Sequence, residues 1–314
     1  METIRIPNEA TYSPIALTDL AIAAPLLSRV LLGATLPGFL LQTAAMAVYA
    51  GSSIQDWTAR LGVRRIDFLR EFGADVDHLE PMSPQVREAE MTVLAERVND
   101  GYVADRPALE ELTQIVDRHL TDYIAGITEQ RVETSTEVRT FSLAGFVFPF
   151  ALGAADIFSG DVAILQDTGV FQPHVVAHEF VHRKGYYREL DAQALAYLSM
   201  TASNDDLLVQ SALCERLHRN LRALTGEDEA LYLEKLEGLG LRAELNEPFE
   251  QLRPALDPMG RAVADVMRGL YDARMRITGQ NGLSDYDVGF TNFLFTFETS
   301  RTARQRPPER GALR

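Results

Sequence analysis

The segment from residue 30 to residue 50 (VLLGATLPGFLLQTAAMAVYA) constrains the fold most strongly, because its 21 residues carry no charge. That length reaches the roughly 17–25 residues that a transmembrane helix needs. Proline and glycine interrupt it at positions 37 and 38, and proline inside a helix removes a hydrogen bond and kinks the helix. The pattern predicts two helices, over 15–29 and 37–50. Two interpretations of this hairpin stay open: it is buried beneath the rest of the fold, or it is a membrane anchor or re-entrant segment.

Composition excludes several classes of protein. The chain has 314 residues with 46% apolar and 24% charged side chains, which is ordinary globular usage. Its net charge of −15 repels phosphate backbones, so nucleic acid is not expected as a partner. The single cysteine excludes disulfide scaffolds and four-cysteine zinc sites. No secretory signal pattern is visible in residues 1–12, which predicts a membrane-associated or cytoplasmic location. The sequence predicts no particular oligomeric state.

The order of patterns along the chain predicts an α+β fold that is mainly helical. Apolar residues recur at helical spacing over 84–100, 108–128, 258–278 and 285–299. Residues 138–150 and 155–165 are rich in Val, Ile and Phe and are typical of two or three strands. We predict an N-terminal helical region over 1–130, with a hairpin at 15–50 that is a candidate for membrane association. A catalytic domain follows over 131–300, with a small sheet, a motif-bearing helix and a C-terminal helical bundle, and 301–314 form a flexible tail.

A His-Glu-x-x-His motif at residues 178–182 carries the chemistry. On a helix, positions i and i+4 share one face, so His178 and His182 can bind one metal ion. Glu179 lies beside them and can take a proton from a metal-bound water. Pro173 suits the first turn of such a helix, and Gly185 suits its end. A catalytic zinc ion takes three protein ligands and leaves a fourth position to water.

The third ligand is expected from the segment that follows Gly185. The longer motif of one protease class would place a histidine at Arg188, but arginine stays protonated and does not bind metals. Glu189 and Asp191 remain as alternatives, because either begins a helix that returns after the glycine turn. His174 comes one turn before His178, but about 12 Å separates it from His182 along a helix, so we do not expect it in the same site. The donor for the oxyanion is expected among Tyr186, Tyr187 and Tyr286, and the strand over 142–148 is a candidate for binding an extended peptide.

Four blocks of the sequence resemble the DUF3810 family of bacterial proteins. They are residues 143–150 (LAGFVFPF), 177–185 (AHEFVHRKG), 188–193 (RELDAQ) and 282–286 (GLSDY), and the resemblance covers about residues 140–297. It implies a zinc-metallopeptidase-like protein with a gluzincin-like site, a glutamate as third ligand, carried onto Glu189, and a membrane setting. The chain departs from the family pattern at two positions: Ala154 stands where the family has Glu, and Asp191 replaces another Glu.

These observations predict a zinc-dependent hydrolase that acts on a peptide or another amide. His178, His182 and Glu189 would bind Zn²⁺, Glu179 would be the general base, and Tyr286 would be a catalytic donor. Two alternatives stay open. One is an interaction or regulatory protein that has the zincin fold without catalysis. The other is a non-hydrolytic metalloenzyme, because two histidines and one carboxylate also suit iron(II).

Overall fold

A computed structural model describes residues 1–8, 16–140, 143, 151–254 and 258–300. These residues are mainly helical with two small sheets, which confirms the α+β, mostly helical class. In chain order, the elements are β1 (Glu2–Arg5), α1 (Leu17–Leu32), α2 (Leu36–Arg60), α3 (Phe68–Phe72), α4 (Pro84–Asp100), α5 (Leu109–Thr128), β2 (Gln130–Glu133), β3 (Gly153–Ala155), β4 (Val162–Ile164), α6 (Gln172–Arg183), α7 (Glu189–Thr201), α8 (Asp206–Thr225), α9 (Glu229–Gly238), α10 (Ala243–Gln251), α11 (Pro258–Ile277) and α12 (Val288–Thr299).

Contacts divide the chain into two compact units, and each unit combines three ranges of the sequence. The first unit holds residues 1–65, 109–167 and 175–187, and the second holds 66–108, 168–174 and 188–314. The predicted domains over 1–130 and 131–300 stay a prediction. The predicted flexible tail, 301–314, lies outside the described residues.

The predicted helical hairpin is present in the first unit, and its turn at 33–35 is shorter than the predicted break between 29 and 37. Helix α1 ends before Gly33, whose φ of 58° favours glycine, and α2 begins at Leu36. Pro37 lies in the first turn of α2, where a missing N–H costs nothing, so it starts this helix and does not break it. Of the two interpretations of this hairpin, the buried one is wrong for the side chains that point away from the partner helix, because many large apolar ones are exposed. Among the described residues, no helix combines the length and apolar character needed to cross a bilayer.

The sheets of the first unit are smaller than the sequence predicts. Strand β1 pairs in parallel with β2, and β3 pairs antiparallel with β4. The predicted strand over 155–165 is instead the end of β3, a turn, and β4. Asp156 makes the turn, because its carboxylate accepts hydrogen bonds from the Phe158 amide and the Ser159 hydroxyl. Of the predicted strand over 138–150, Arg139 forms an isolated bridge to Ala163, and 141–142 and 144–150 lie outside the described residues.

The second unit has an apolar core between helices. Side chains of α4, α8, α9 and α10 fill it, including Leu94, Leu217 and Phe249, none of which is exposed. Asp205 caps α8 by accepting hydrogen bonds from the Leu207 and Leu208 amides. The predicted helices over 84–100, 108–128 and 258–278 agree with α4, α5 and α11 to within one residue at each end.

Candidate metal centre

Helix α6 presents the His-Glu-x-x-His motif from a buried position. Pro173 lies in its first turn, and Val176, Phe180 and Val181 are fully buried. Their burial fixes the helix, so the side chains at i and i+4 project from a rigid support. This local pattern is the one that the sequence predicts for the helix.

The imidazoles of His178 and His182 converge. Their Nε2 atoms lie 3.1 Å apart. Two nitrogen ligands at about 2.0–2.1 Å from a tetrahedral zinc ion would lie about 3.3 Å apart, so the spacing fits a shared ion. The Nδ1 atom of His182 lies 2.8 Å from the carbonyl oxygen of Tyr186. A hydrogen bond there keeps the proton on Nδ1 and leaves Nε2 able to bind a metal.

Glu189 completes a cluster of three ligand types. It lies in the continuous helix–turn–helix segment 172–201, in which Gly185 makes the turn with a φ of 101°. One ligand atom from each of His178, His182 and Glu189 lies within 4.8 Å of the others. No other group of three or more potential ligands occurs in the described parts of the chain. Two imidazoles and a carboxylate are a donor set that suits zinc.

The alternative third ligand, Asp191, is not part of this cluster. It lies two residues beyond Glu189 on α7, and residues two apart on a helix do not share a face. Arg188 takes no part in the cluster either, since a guanidinium stays protonated and does not bind metals; it donates to Asp77 at 3.2 Å. The assignment of Glu189 as the third ligand stays a prediction that this grouping supports.

Two tyrosines of the second unit contact Glu189. The hydroxyl of Tyr271 donates to Glu189 Oε1 at 2.5 Å, and Tyr286 is hydrogen-bonded to both Glu189 and Tyr271. Burial, reinforced by the charge of Glu189, raises the pKa of both phenols. Both hydroxyls therefore keep their protons at neutral pH and act as donors. Gln280 adds a contact to the backbone, accepting from the Glu189 amide at 2.9 Å.

Sequence reasoning found only one of these two tyrosines. Tyr286 was expected as a catalytic donor, and the structure places it beside Glu189. Tyr271 was missed, because it lies 82 residues from Glu189 on a helix whose pattern shows only amphipathicity. The other oxyanion candidates have different contacts. Tyr186 donates to the Arg64 carbonyl at 3.0 Å, and the Arg65 guanidinium lies 5.7 Å from the centre of the Tyr187 ring.

Glu179 is held against strand β3. Its side chain is buried, and the backbone of Gly153 approaches it so closely that a Cβ at that position would lie 2.8 Å from Glu179 Cγ and Oε1. Only glycine leaves room for this carboxylate. Gly153 is therefore a positioning residue for Glu179 that no sequence motif indicated.

Two buried cations anchor the end of α6. The Arg183 guanidinium donates to the carbonyl oxygens of Ser135, Glu137 and Gly160 at 2.7–2.8 Å. Burial lowers its pKa to about 10, so it stays charged at neutral pH. The Lys184 ammonium lies 2.7 Å from an Asp117 carboxylate oxygen. These contacts fix the helix immediately after His182.

His174 belongs to a different environment, as the sequence predicted. It lies in the second unit, where its amide donates to Ser211 Oγ at 3.1 Å and its Nδ1 lies 3.8 Å from Glu215 Oε1. Burial would raise the pKa of Glu215, but the charges of Arg219 and His174 outweigh it and hold that pKa at about 2. The Glu215 carboxylate is thus a charged partner for the buried His174.

A known family model matches the part of the chain that contains this candidate metal centre. The family model described as a protein of unknown function, DUF3810, matches residues 88–294, which is more than half of the chain. The chain belongs to the DUF3810 family. The resemblance found in the sequence is thereby confirmed, although a family of unknown function assigns no activity. No curated protein and no solved structure matches the chain. The DUF3810 match includes all of α6 and α7, and Tyr271 and Tyr286 as well.

Proposed function

We propose that this DUF3810 protein is a zinc-dependent hydrolase of peptide or other amide bonds, with a zincin-like core. One observation carries the proposal: two imidazole Nε2 atoms 3.1 Å apart on one helix, grouped with the Glu189 carboxylate, with Glu179 beside them. His178, His182 and Glu189 would bind the ion. Bound zinc would supply a polarised water and a Lewis acid for the substrate carbonyl.

Glu179 supports hydrolysis over a purely structural metal site. It sits between the two histidines in sequence, is held by Gly153 and is not a member of the ligand cluster. In the proposed reaction it accepts the proton of the attacking water and passes it to the leaving amine. Tyr286, which is hydrogen-bonded to Glu189, is proposed to donate to developing charge on the substrate.

Strand β3 supports a peptide substrate. In the described part of the chain β3 pairs with β4 alone, and Gly153 at its start contacts Glu179. An extended peptide that paired with the other edge of β3 would lie beside this carboxylate. The strand predicted over 142–148 lies outside the described residues except for Leu143.

Membrane association is a separate part of the proposal. The family resemblance implies it, and the exposed apolar side chains of the α1–α2 hairpin support it. It does not depend on catalysis, so each part can fail without the other.

Metal content tests the site. We expect about one zinc per chain in the purified wild-type protein. We expect His178→Ala and Glu189→Ala to lose zinc during purification, with only weak binding left in Glu189→Ala. His78→Ala is the matched control, because that histidine is exposed and pairs with Asp75 outside the candidate metal centre. Zinc that survives Glu189→Ala but not Asp191→Ala would move the third ligand to Asp191. No metal in the wild-type protein after zinc is added would refute the proposal.

Turnover is tested by Glu179→Gln against peptide libraries. We expect this variant to retain zinc and lose hydrolysis, because an amide does not accept the proton of water. Zinc without cleavage of any peptide by the wild type would instead favour an interaction or regulatory protein. Oxygen-dependent activity after iron loading would favour the non-hydrolytic metalloenzyme.

A further inference from the structure

The tip of the α1–α2 hairpin exposes many large apolar side chains. Val30 is 81% exposed and Phe39 is 64% exposed. The other exposed apolar residues near the turn are Leu26, Leu27, Leu31, Leu32, Leu36, Leu40 and Leu41. Their number exceeds the scattered apolar residues that ordinary surfaces show.

The interior of the same hairpin is made of small and polar side chains. Ser28 is fully buried, and the Gln42 amide donates to its hydroxyl at 2.6 Å. Ala24 and Ala45 are also buried. A hairpin in water places apolar residues inside and polar residues outside. This hairpin has the reverse arrangement, which is typical of helices that pack together within lipid.

The apolar surface at the hairpin tip is wider than one helix face. Phe39, Leu40 and Leu41 are consecutive, and each is more than half exposed. Neighbouring residues on a helix are about 100° apart, so these three span about 200° of the circumference. A partner protein that docks on one face would leave part of this surface in water. Hydrocarbon chains would cover all of it.

Charge also favours lipid hydrocarbon. Between residues 20 and 55 the only charged side chain is Arg29, although the whole chain has a net charge of −15. A surface without charge complements the uncharged interior of a bilayer, whereas a strongly acidic protein gains nothing from an anionic membrane surface.

We propose that the tip of this hairpin enters the hydrocarbon of one leaflet of a lipid bilayer. This insertion rests on the proposed membrane association, and it specifies that the hairpin is the inserted element and that it enters one leaflet only. From Leu26 to Gly33 a helix rises about 10 Å, which is less than half of the roughly 30 Å hydrocarbon core. The turn at 33–35 therefore reaches into one leaflet without crossing the bilayer.

The base of the hairpin is attached to the rest of the first unit. The Arg60 guanidinium, at the end of α2, donates to the carbonyl oxygens of Arg183 and Phe158 at 2.8 and 3.0 Å. The Tyr49 hydroxyl donates to the Asp156 carboxylate at 2.9 Å. Arg183 ends helix α6. An inserted hairpin would therefore hold α6 at a fixed distance from the bilayer, and the substrates within reach would be polypeptides at the membrane surface.

Flotation with neutral phosphatidylcholine vesicles tests the proposal on the full chain. We expect the wild-type protein to float with the vesicles at low and at high salt, because apolar burial drives the binding. Val30→Asp combined with Phe39→Asp should lower the partition coefficient at least about tenfold, because carboxylates are costly in hydrocarbon. Leu69→Asp combined with Val93→Asp is the matched control, since both side chains are exposed apolar residues outside the hairpin.

Several results would overturn the proposal. Equal flotation of the hairpin variant and the wild type would exclude this element, and loss of wild-type flotation at high salt would mean that charge drives the binding. Wild-type protein that stays unbound as a dimer, with the hairpin variant monomeric, would show a second copy as the true occupant. The zinc content of the hairpin variant should equal that of the wild type, so failure of the anchor and failure of the metal site are distinguishable.

The depth to which the hairpin tip enters the bilayer is measured with a fluorophore attached to the protein. Cys214 is the only cysteine and is buried, so Leu31→Cys in a Cys214→Ser background provides one labelling site. We expect lipids brominated along their acyl chains to quench a label at position 31 strongly, and a label at Leu69→Cys in the same background not at all. Equal quenching at the two positions would contradict insertion of the hairpin tip.

Discussion

The hydroxyl of Tyr271 should control how tightly the candidate site binds zinc. It donates to Glu189 Oε1 at 2.5 Å, and Tyr286 contacts the same carboxylate. Tyr271→Phe removes this donor and keeps the ring. A hydrogen bond to a charged group contributes about 1.5–3 kcal/mol, and a factor of ten in affinity corresponds to about 1.4 kcal/mol. Loss of a residue that orients a metal ligand typically weakens metal binding about 10–100-fold.

We therefore expect the zinc Kd of Tyr271→Phe to rise at least about tenfold. Competition against a chromophoric chelator at fixed pH measures it. Tyr232→Phe is the matched control. Its buried hydroxyl donates to the Phe249 carbonyl at 3.0 Å and contacts His218, and neither of these residues belongs to the candidate metal centre. Both variants should lower the free energy of unfolding of the metal-free protein, but only Tyr271→Phe should weaken zinc binding.

A double-mutant cycle separates positioning from general damage. In a Glu189→Ala background, Tyr271→Phe should have no further effect on residual zinc binding, because the carboxylate that it orients is absent. An unchanged or tighter zinc Kd in Tyr271→Phe alone would refute the reasoning, since it would mean that the hydroxyl competes with the metal for Glu189 or does not orient it.

Three further perturbations follow from the structure. Gly153→Ala should reduce hydrolysis more than about tenfold with zinc content unchanged, because the new Cβ displaces Glu179, whereas Gly126→Ala, with open space around it, should not. Burial holds the pKa of His218 at about 3, below an unfolded value of about 6.5, so the stability that is present above pH 6.5 should be lost as pH falls toward 3. Urea midpoints at pH 7 and pH 5 measure this loss of stability, and His218→Gln should make the midpoint depend less on pH. Lys184→Met should lower the free energy of unfolding by about 3 kcal/mol, because the Asp117 carboxylate loses its ion-pair partner. An unchanged urea midpoint would contradict this expectation.

Local patterns in the sequence predicted local structure well. The spacing of His178 and His182 indicated one helix face, and the glycine turn with an acidic residue after it indicated Glu189. Both depend on residues that lie within a few turns of each other. Helical periodicity located α4, α5 and α11 for the same reason.

Long-range contacts could not be predicted in this way. Tyr271 reaches Glu189 from 82 residues away, and Gly153 contacts Glu179 from another element. Neither contact leaves a periodic signal, because each depends on how elements pack. The hairpin shows the same limit: its apolar composition indicated helices that avoid water, but only the packing of Ser28 against Gln42 shows which side chains face inward.

The pairing of β1 with β2 has a consequence for the order of events during synthesis. Glu2 lies opposite Gln130, so the first strand has no partner until 128 more residues have been made. At about 5–20 residues per second, that takes roughly 6–25 s. The apolar hairpin leaves the ribosome early in this interval, long before its own compact unit can close. During those seconds the nascent chain exposes the hairpin to any nearby chaperone or bilayer, and capture at this stage would precede formation of the candidate metal centre.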